Sequence, residues 1–228
     1  MGVKETLKAL EFIGITEIYL NRKMTEKEET SEKHLKQQDR DKLLKELYQQ
    51  WKECTRCDLH KSRTQVVPGD GNPYSPLVFV GEAPGEEEDK QGRPFVGRAG
   101  QLLNKLIEEI LGLSRDKVYI TNVCKCRPPG NRKPTPIEMR YCSPYLRKEI
   151  EIIQPKVICC LGATAGEGIL GKSLKITKVR GQVFPYPFNP RIKVFLTYHP
   201  AYVLRNPKEE NTLRKDFEKL KELIAQQQ

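Results

Sequence analysis

Four cysteines fall into a close pair, Cys54 and Cys57, and a distant pair, Cys126 and Cys142. The Cys-x-x-Cys spacing closes a tight chelate, and the second pair would complete a four-sulfur cage. Thiolates suit zinc or an iron–sulfur cluster equally well. The second pair brackets the proline-rich stretch CRPPGNRKPTPIEMRYC, which differs from the short second knuckle of common zinc sites. The four cysteines therefore indicate a metal or cluster site, with unrelated buried thiols as the alternative.

The other three cysteines have different contexts. The chain holds seven in all, and an odd number argues against a closed disulfide framework. Cys159 and Cys160 lie in the apolar run KVICCLG, which predicts that they are buried small hydrophobes. Cys124 and Cys126 alternate in VYITNVCKC, so in a strand they share a face. Which of these two is a ligand is open on spacing alone.

A glycine- and proline-rich segment, GEAPGEEEDKQGRPFVGRAGQ, begins at Gly81. Such a turn brings backbone N–H groups close to a ligand. It is neither a Walker A loop nor GxGxxG, so a nucleotide cofactor is not favoured. The acidic run Glu86–Asp89 would repel phosphates, which favours a base or sugar as the ligand. Phe95 is suited to stacking on a planar ring, although an ordinary core aromatic is the alternative.

Two polar side chains follow apolar runs farther along the chain. Asn122 can donate and accept hydrogen bonds with one side chain, as reading the edge of a flipped base requires. His199 precedes a proline, which restricts its backbone to an extended form and fixes where the imidazole points. A histidine can donate to a developing oxyanion. A structural loop asparagine and a surface histidine are the alternatives.

Alternating strand and helix patterns position these residues. Strand patterns cover 77–82, 117–123, 156–162 and 192–199, and helical patterns cover 98–113, 135–153, 163–170 and 207–224, with a further helix starting at Asp41. This alternation predicts a largely parallel sheet with helices on both faces. In such folds the site lies beyond the carboxyl ends of the strands. Glu82, Asn122, Gly162 and His199 stand at those ends, which predicts one shared pocket.

Charge divides the chain unevenly. The 228 residues carry a formal net charge of +10, yet residues 1–40 hold eight basic and eight acidic side chains. The surplus in 41–228 favours a polyanionic partner through phosphate contacts and counterion release, with a lysine-rich surface as the alternative. We expect residues 1–40 to be an accessory segment and linker, and 41–228 to be the functional domain.

The sequence lacks an apolar run long enough to span a bilayer, and it does not begin with a secretory signal. We therefore expect a cytoplasmic monomer without a membrane partner. Residues 1–40 could recruit a partner such as a replication clamp, although no motif there specifies one.

Beyond residue 50 the chain resembles the family 4 uracil-DNA glycosylases, the iron–sulfur branch of that superfamily. The resemblance lies in CTRCDLHKSRTQVVPGDGNP, GEAPGEEEDKQGRPFVGRAGQLL, YITNVCKCRPPGNRKPTPIEMRYC and YHPAYVLRNP, which occur in order over residues 54–207. Glu82 favours family 4 over family 5. The resemblance implies a three-layer α/β/α sandwich with a central, mainly parallel four-stranded sheet. It also implies an enzyme that flips uracil out of double- or single-stranded DNA, hydrolyses the N-glycosidic bond and leaves an abasic site.

The family pattern also assigns roles residue by residue. Uracil binding is implied for Gly81, Glu82, Ala83, Phe95, Asn122 and His199, and a [4Fe-4S] cluster is implied for Cys54, Cys57, Cys126 and Cys142. His199 would contact uracil O2 as a catalytic donor. Ala83 stands where the best-known branch has an aspartate that positions the water, so Glu82 becomes the candidate for that role. Cys124 would be a bystander.

The remaining expectations concern DNA. Leu204 or Arg205 would fill the gap left by the flipped base, with a surface-loop contact to phosphate as the alternative. Arg127, Arg132 and Lys133 would contact the backbone. Two rival functions stay open. One is a DNA-binding protein without catalysis, built on a four-cysteine zinc site. The other is an electron carrier, which the basic, pocketed α/β body disfavours.

Overall fold

The computed structural model describes residues 39–227. Its centre is a six-stranded sheet built from β1 (Asp70–Gly71), β2 (Leu77–Gly81), β3 (Tyr119–Asn122), β4 (Val157–Leu161), β5 (Val183–Tyr186) and β6 (Asn189–Thr197). The strand order is β1-β3-β2-β4-β6-β5. The four inner strands run parallel, and the two edge strands pair antiparallel. The predicted parallel strands are therefore present.

The predicted sheet had four strands, whereas the structure adds two edge strands, β1 and β5. β1 is only two residues long, and β5 contains Pro185 and alternates between exposed and buried positions. Edge strands tolerate proline and short length because one side forms no ladder. Neither segment therefore shows the continuous apolar run of β2 or β4, whose residues are all buried.

Eight α-helices flank the sheet within residues 39–227. They are α1 (Arg40–Trp51), α2 (Glu86–Gln91), α3 (Arg98–Leu106), α4 (Pro136–Ile153), α5 (Ala163–Leu170), α6 (Ile176–Val179), α7 (Pro200–Arg205) and α8 (Glu210–Ala225). One core joins α1, α4 and α5 to one face of the sheet, and a second joins α3, α7 and α8 to the other. Consecutive strand residues such as Phe79 and Val80 point to opposite faces and pack in opposite cores. Helices thus cover both faces, as predicted.

Local sequence sets several helix ends. Thr135 caps α4 by accepting from the Glu138 N–H, and the Glu138 carboxylate accepts from the Thr135 N–H, which is the capping box that the spacing Thr-x-x-Glu indicates in the sequence. The helix predicted over 98–113 leaves α-geometry earlier. It continues from Leu106 as a π-helical turn, Ile107–Leu111, and ends at the left-handed Gly112.

The short helices α2, α6 and α7 were not predicted, because four to six residues are too few to show a helical period. Within the described residues, no helix is long and apolar enough to cross a membrane. The predicted accessory segment lies outside the described residues, except for Asp39 and Arg40, and its boundary stays a prediction.

Candidate active site

The carboxyl ends of the parallel strands meet at one pocket. Gly81 of β2 pairs in register with Asn122 of β3. A Cβ on Gly162, just after β4, would lie 3.1 Å from the Cβ of His199, which follows β6. The pocket has a volume of about 550 Å³. Its walls include Glu82, Ala83, Glu88, Phe95, Asn122, Arg132, His199 and Arg205. Glu82, Asn122 and His199 therefore converge on one pocket as predicted, whereas Gly162 adjoins His199 but does not line the pocket.

Gly81 lets the pocket's two walls approach each other. A Cβ there would lie 2.4 Å from Asn122 Oδ1 and 2.6 Å from the Phe95 ring. Only glycine leaves room for both groups at this strand end. Gly81 thus supports the pocket from behind and is not part of its lining.

Phe95 forms the flat wall of the pocket. It is 5% exposed, and its ring centroid lies 5.6 Å from that of His199 with an interplanar angle of 28°. Its backbone has φ +53°, in the left-handed region that bulky residues seldom adopt. The surrounding structure must therefore hold this residue in place.

Glu88 braces the loop that carries Phe95. One carboxylate oxygen accepts from the N–H groups of Val96 and Gly97, at 2.9 and 2.8 Å, and the other accepts from Gly85 N–H at 3.1 Å. The sequence analysis considered only that the acidic run would repel phosphates, and it missed the bracing role. The spacing Gly85-x-x-Glu88, which is that of a helix N-terminal box, was the available signal.

Asn122 presents an unsatisfied acceptor. The residue is 3% exposed, and its Oδ1 has no hydrogen-bond partner within residues 39–227. Leaving a buried amide oxygen unpaired costs about 1–3 kcal/mol. Because Asn122 lines the pocket, a ligand that offers an N–H there would recover this free energy.

His199 is held as a neutral donor. Its Nδ1 accepts from the Ala201 N–H at 3.0 Å, which caps α7. Burial, and then the charge of Arg205, lower the pKa of His199 from 6.5 to about 4. The ring is therefore neutral near pH 7. Because Nδ1 accepts, the proton resides on Nε2 and is available to donate.

Loop cations near the pocket are engaged with carboxylates. The pairs are Arg127 with Glu86 at 3.4 Å, Arg132 with Glu138 at 2.7 Å and Lys133 with Glu167 at 3.0 Å. Arg132 lines the pocket, as does Arg205 of α7, whereas Arg127 and Lys133 stand outside its lining. Leu204 is 38% exposed. Any role of these residues on DNA stays a prediction.

The four predicted cysteine ligands come together in one core with Cys124. Cys54 and Cys57 are partly buried, and the other three are buried. Arg63 donates to Cys126 Sγ at 3.2 Å and to the Cys54 carbonyl at 2.6 Å. No group of three or more His, Cys, Asp or Glu side chains in the described residues is arranged around a single metal ion.

A buried ion pair adjoins these thiols. Lys125 and Glu149 are each about 1% exposed, and their side chains form a short hydrogen bond. Thr121 donates to Glu149 at 3.0 Å, and the Lys125 ammonium lies 5.4 Å from the Trp51 ring centroid. No sequence pattern indicated this network. Cys159 and Cys160 are fully buried in β4, as predicted.

The fold and pocket define an α/β protein with a cavity where the parallel strands end. The family model of the uracil DNA glycosylase superfamily matches residues 68–223. Because that match covers most of the chain and the relatives below are similar over most of their length, the chain belongs to the uracil DNA glycosylase superfamily, in its type-4 branch.

Three curated relatives are named type-4 uracil-DNA glycosylases. The protein of Sulfurisphaera tokodaii is 52% identical over 75% of this chain and 80% of its own. That of Thermotoga maritima is 51% identical over 82% of this chain and 98% of its own. The Archaeoglobus fulgidus protein is 47% identical over 77% of this chain and 90% of its own.

Proposed function

We propose that this protein is a DNA repair enzyme that removes uracil from DNA. It hydrolyses the N-glycosidic bond, releases uracil and leaves an abasic site. Relatives about 50% identical carry the name of this activity. The observation that carries the proposal is the pocket itself, which both residues line and where the unpaired Asn122 Oδ1 and the Phe95 ring both lie beside Gly81. A uracil ring has a flat face for Phe95 and an N–H edge for Asn122.

The base must leave the DNA stack before it can enter. Flipping costs on the order of a few kcal/mol, which stacking and hydrogen bonding in the pocket offset. Phe95 would stack on one face, and Asn122 would accept from the uracil N3–H. Glu82 and Ala83 would line the sides, with Gly81 behind them. Deaminated cytosine is distinguished from cytosine by this edge, because cytosine has no N–H at N3.

His199 would act on the departing base. Breaking the bond places negative charge on uracil and positive character on the sugar. A neutral imidazole whose Nε2–H donates to uracil O2 stabilises the anion, by the same principle as an oxyanion hole. The Ala201 N–H on Nδ1 keeps the ring in this tautomer and orientation.

The attacking water needs an acceptor, and Glu82 is the carboxylate at the end of β2 that lines the pocket. Ala83 has no group that could do this. A Glu82→Gln variant keeps the shape and removes the charge, so it should lose most single-turnover activity while retaining DNA affinity. Wild-type rates in Glu82→Gln would exclude this role.

DNA would lie against the face that carries the pocket. Arg205 and Leu204 on α7 would approach the gap left by the base, and Arg127, Arg132 and Lys133 would contact phosphates. The loop cations would have to exchange their present carboxylate partners for phosphate oxygens. Such contacts position the duplex and carry no sequence information.

A [4Fe-4S] cluster would be held by Cys54, Cys57, Cys126 and Cys142. The fit lies in the donor set: thiols from two distant segments share one core, and the Arg63 guanidinium donates to the sulfur of Cys126. When bound, the cluster would tether the loop before α4 to the segment after α1, and hydrolysis needs no electron transfer. Cys124 lies in the same core, so its exclusion as a ligand stays a prediction.

The deciding experiment incubates the protein with a uracil-containing oligonucleotide and then with alkali, which breaks the strand at abasic sites. We expect cleavage with uracil and none with the matched cytosine oligonucleotide. Binding without cleavage, in a colourless protein that holds zinc, would support the rival zinc protein. Analysis of the purified protein for iron and sulfide tests the cluster separately, and we expect a brown protein that contains both. A cytoplasmic location, a monomeric state and recruitment of a replication clamp stay predictions.

A further inference from the structure

The pocket's aromatic wall is built on a strained loop. Phe95 has φ +53°, a conformation that costs on the order of 1–3 kcal/mol for a bulky residue. The loop also packs closely against α3, because a Cβ on Gly100 would lie only 1.9 Å from the Phe95 carbonyl oxygen. Without added restraint, such a loop would relax and carry the ring away from His199.

Arg115 supplies a restraint from outside the pocket. It lies in the 3₁₀ turn Arg115–Lys117, just before β3. Its guanidinium donates to the Pro94 carbonyl at 2.5 Å and to the Phe95 carbonyl at 2.9 Å. A planar, rigid fork of donors suits two consecutive carbonyls, which a lysine ammonium cannot match.

The guanidinium is itself fixed in place. Asn104 Oδ1 accepts from it at 3.2 Å, and the Asp70 carboxylate lies 3.4 Å away. The side chain is 17% exposed. Arg115 is therefore partly desolvated and donates hydrogen bonds to the loop, although it does not line the pocket.

The loop is held from both directions by opposite charges. Arg115 donates to the carbonyls of Pro94 and Phe95. Glu88 accepts from the N–H groups of the next two residues, Val96 and Gly97. The peptide groups on both sides of the Phe95 side chain are thus fixed by charge-assisted hydrogen bonds, which are stronger than neutral ones.

We propose that Arg115 is a positioning residue for uracil excision. It holds Phe95 in the left-handed conformation so that the ring meets the extruded base. This inference rests on the proposed function. It differs from a general stabilising role because it predicts a specific loss of base binding and of the chemical step.

Arg93 provides a matched control. Its guanidinium pairs with the same Asp70 carboxylate, at 2.9 Å, and its side chain is 57% exposed. Arg93→Ala therefore removes one positive charge and a bond to Asp70, as Arg115→Ala does. It leaves the hydrogen bonds from Arg115 to the carbonyls of Pro94 and Phe95 in place. Arg115→Lys keeps the charge and loses the fork.

The experiment measures four quantities in wild type, R115A, R115K and R93A. These are single-turnover excision, inhibition by free uracil, affinity for DNA carrying an abasic-site analogue, and the midpoint of thermal unfolding. For R115A we expect excision to fall about 10- to 100-fold, since a misplacement near 1 Å has this effect on rate. Inhibition by uracil should weaken at least severalfold.

Affinity of R115A for the abasic analogue should stay within about threefold of wild type, because Phe95 does not contact DNA that lacks the base. R93A should match wild type in every assay, and R115K should lie between R115A and wild type. Millimolar methylguanidinium should restore part of the excision by R115A and leave R93A unchanged.

Three results would overturn the inference: equal excision rates for R115A and R93A, unchanged uracil inhibition in R115A, or a loss that appears equally in affinity for the abasic analogue. If R115A does not fold, R115K carries the same comparison. Wild type is assayed first, because failure of wild type to excise uracil overturns the proposed function, whereas an active R115A beside an active wild type overturns only the role of Arg115.

Discussion

Replacing His199 with alanine should lower single-turnover excision by about a hundredfold to a thousandfold, the effect of removing one oxyanion donor. The neutral ring offers its Nε2–H because Nδ1 accepts from Ala201 and because burial lowers the pKa to about 4. A His199→Gln variant keeps an N–H donor of similar reach and should lose less. DNA affinity of both variants should stay near that of wild type.

The low pKa also fixes the pH dependence. With a folded pKa of about 4 against an ordinary 6.5, the unfolded chain binds more protons between those values. Stability from this residue is therefore complete above the unfolded pKa and declines as the pH falls toward 4. The full loss is about 3 kcal/mol, from 1.36 kcal/mol per unit of pKa difference. His199→Gln should abolish that part of the decline, as measured by urea unfolding at neutral pH and near pH 4.5.

The catalytic counterpart is measured as the ratio of wild-type to His199→Ala rates across pH. We expect this ratio to stay level from about pH 5 to pH 8, because the imidazole keeps one protonation state over that range. A ratio that rises about tenfold per unit as the pH falls through 6.5 would show that the charged ring is the active form. Our reasoning about the neutral donor would then be wrong.

Three further perturbations test the site and its support. Asn122→Asp places a carboxylate where uracil presents O4 beside N3–H, so uracil inhibition should weaken at least tenfold in a product-inhibition assay. Because this position is buried, the added charge should also lower the thermal midpoint. Gly100→Ala drives a Cβ into the Phe95 carbonyl, so it should lower the urea unfolding free energy by about 1–3 kcal/mol and reduce excision. Lys125→Met leaves Glu149 buried and unpaired, so it should cost about 3–5 kcal/mol, and the double variant with Glu149→Leu should recover most of that loss in the same unfolding assay.

The positions of the strand ends could be predicted because buried parallel strands are short, continuous apolar runs. LVFVG and VICCL are buried at every position, and each is followed by a glycine-containing turn. Once the strands are parallel, their carboxyl ends must share an edge, so Asn122 and His199 had to lie at the same edge of the sheet. The capping box at Thr135 was legible for a similar reason, because it depends only on local spacing.

Other features depend on contacts that no local pattern encodes. Arg115 is 20 residues from the Phe95 carbonyl it holds, and Lys125 is 24 residues from Glu149. Nothing in the local sequence distinguishes Arg115 or Lys125 from the other basic residues of the chain. The edge strands were missed because a two-residue bridge and a proline-containing strand carry no period to detect.

The hydrogen bond from Ala201 to His199 has a mechanical consequence. The imidazole caps the same helix that carries Leu204 and Arg205, so this hydrogen bond couples the orientation of the ring to that of the helix. If DNA contacts the exposed end of this helix, as proposed above, a shift of the helix would also reorient the imidazole.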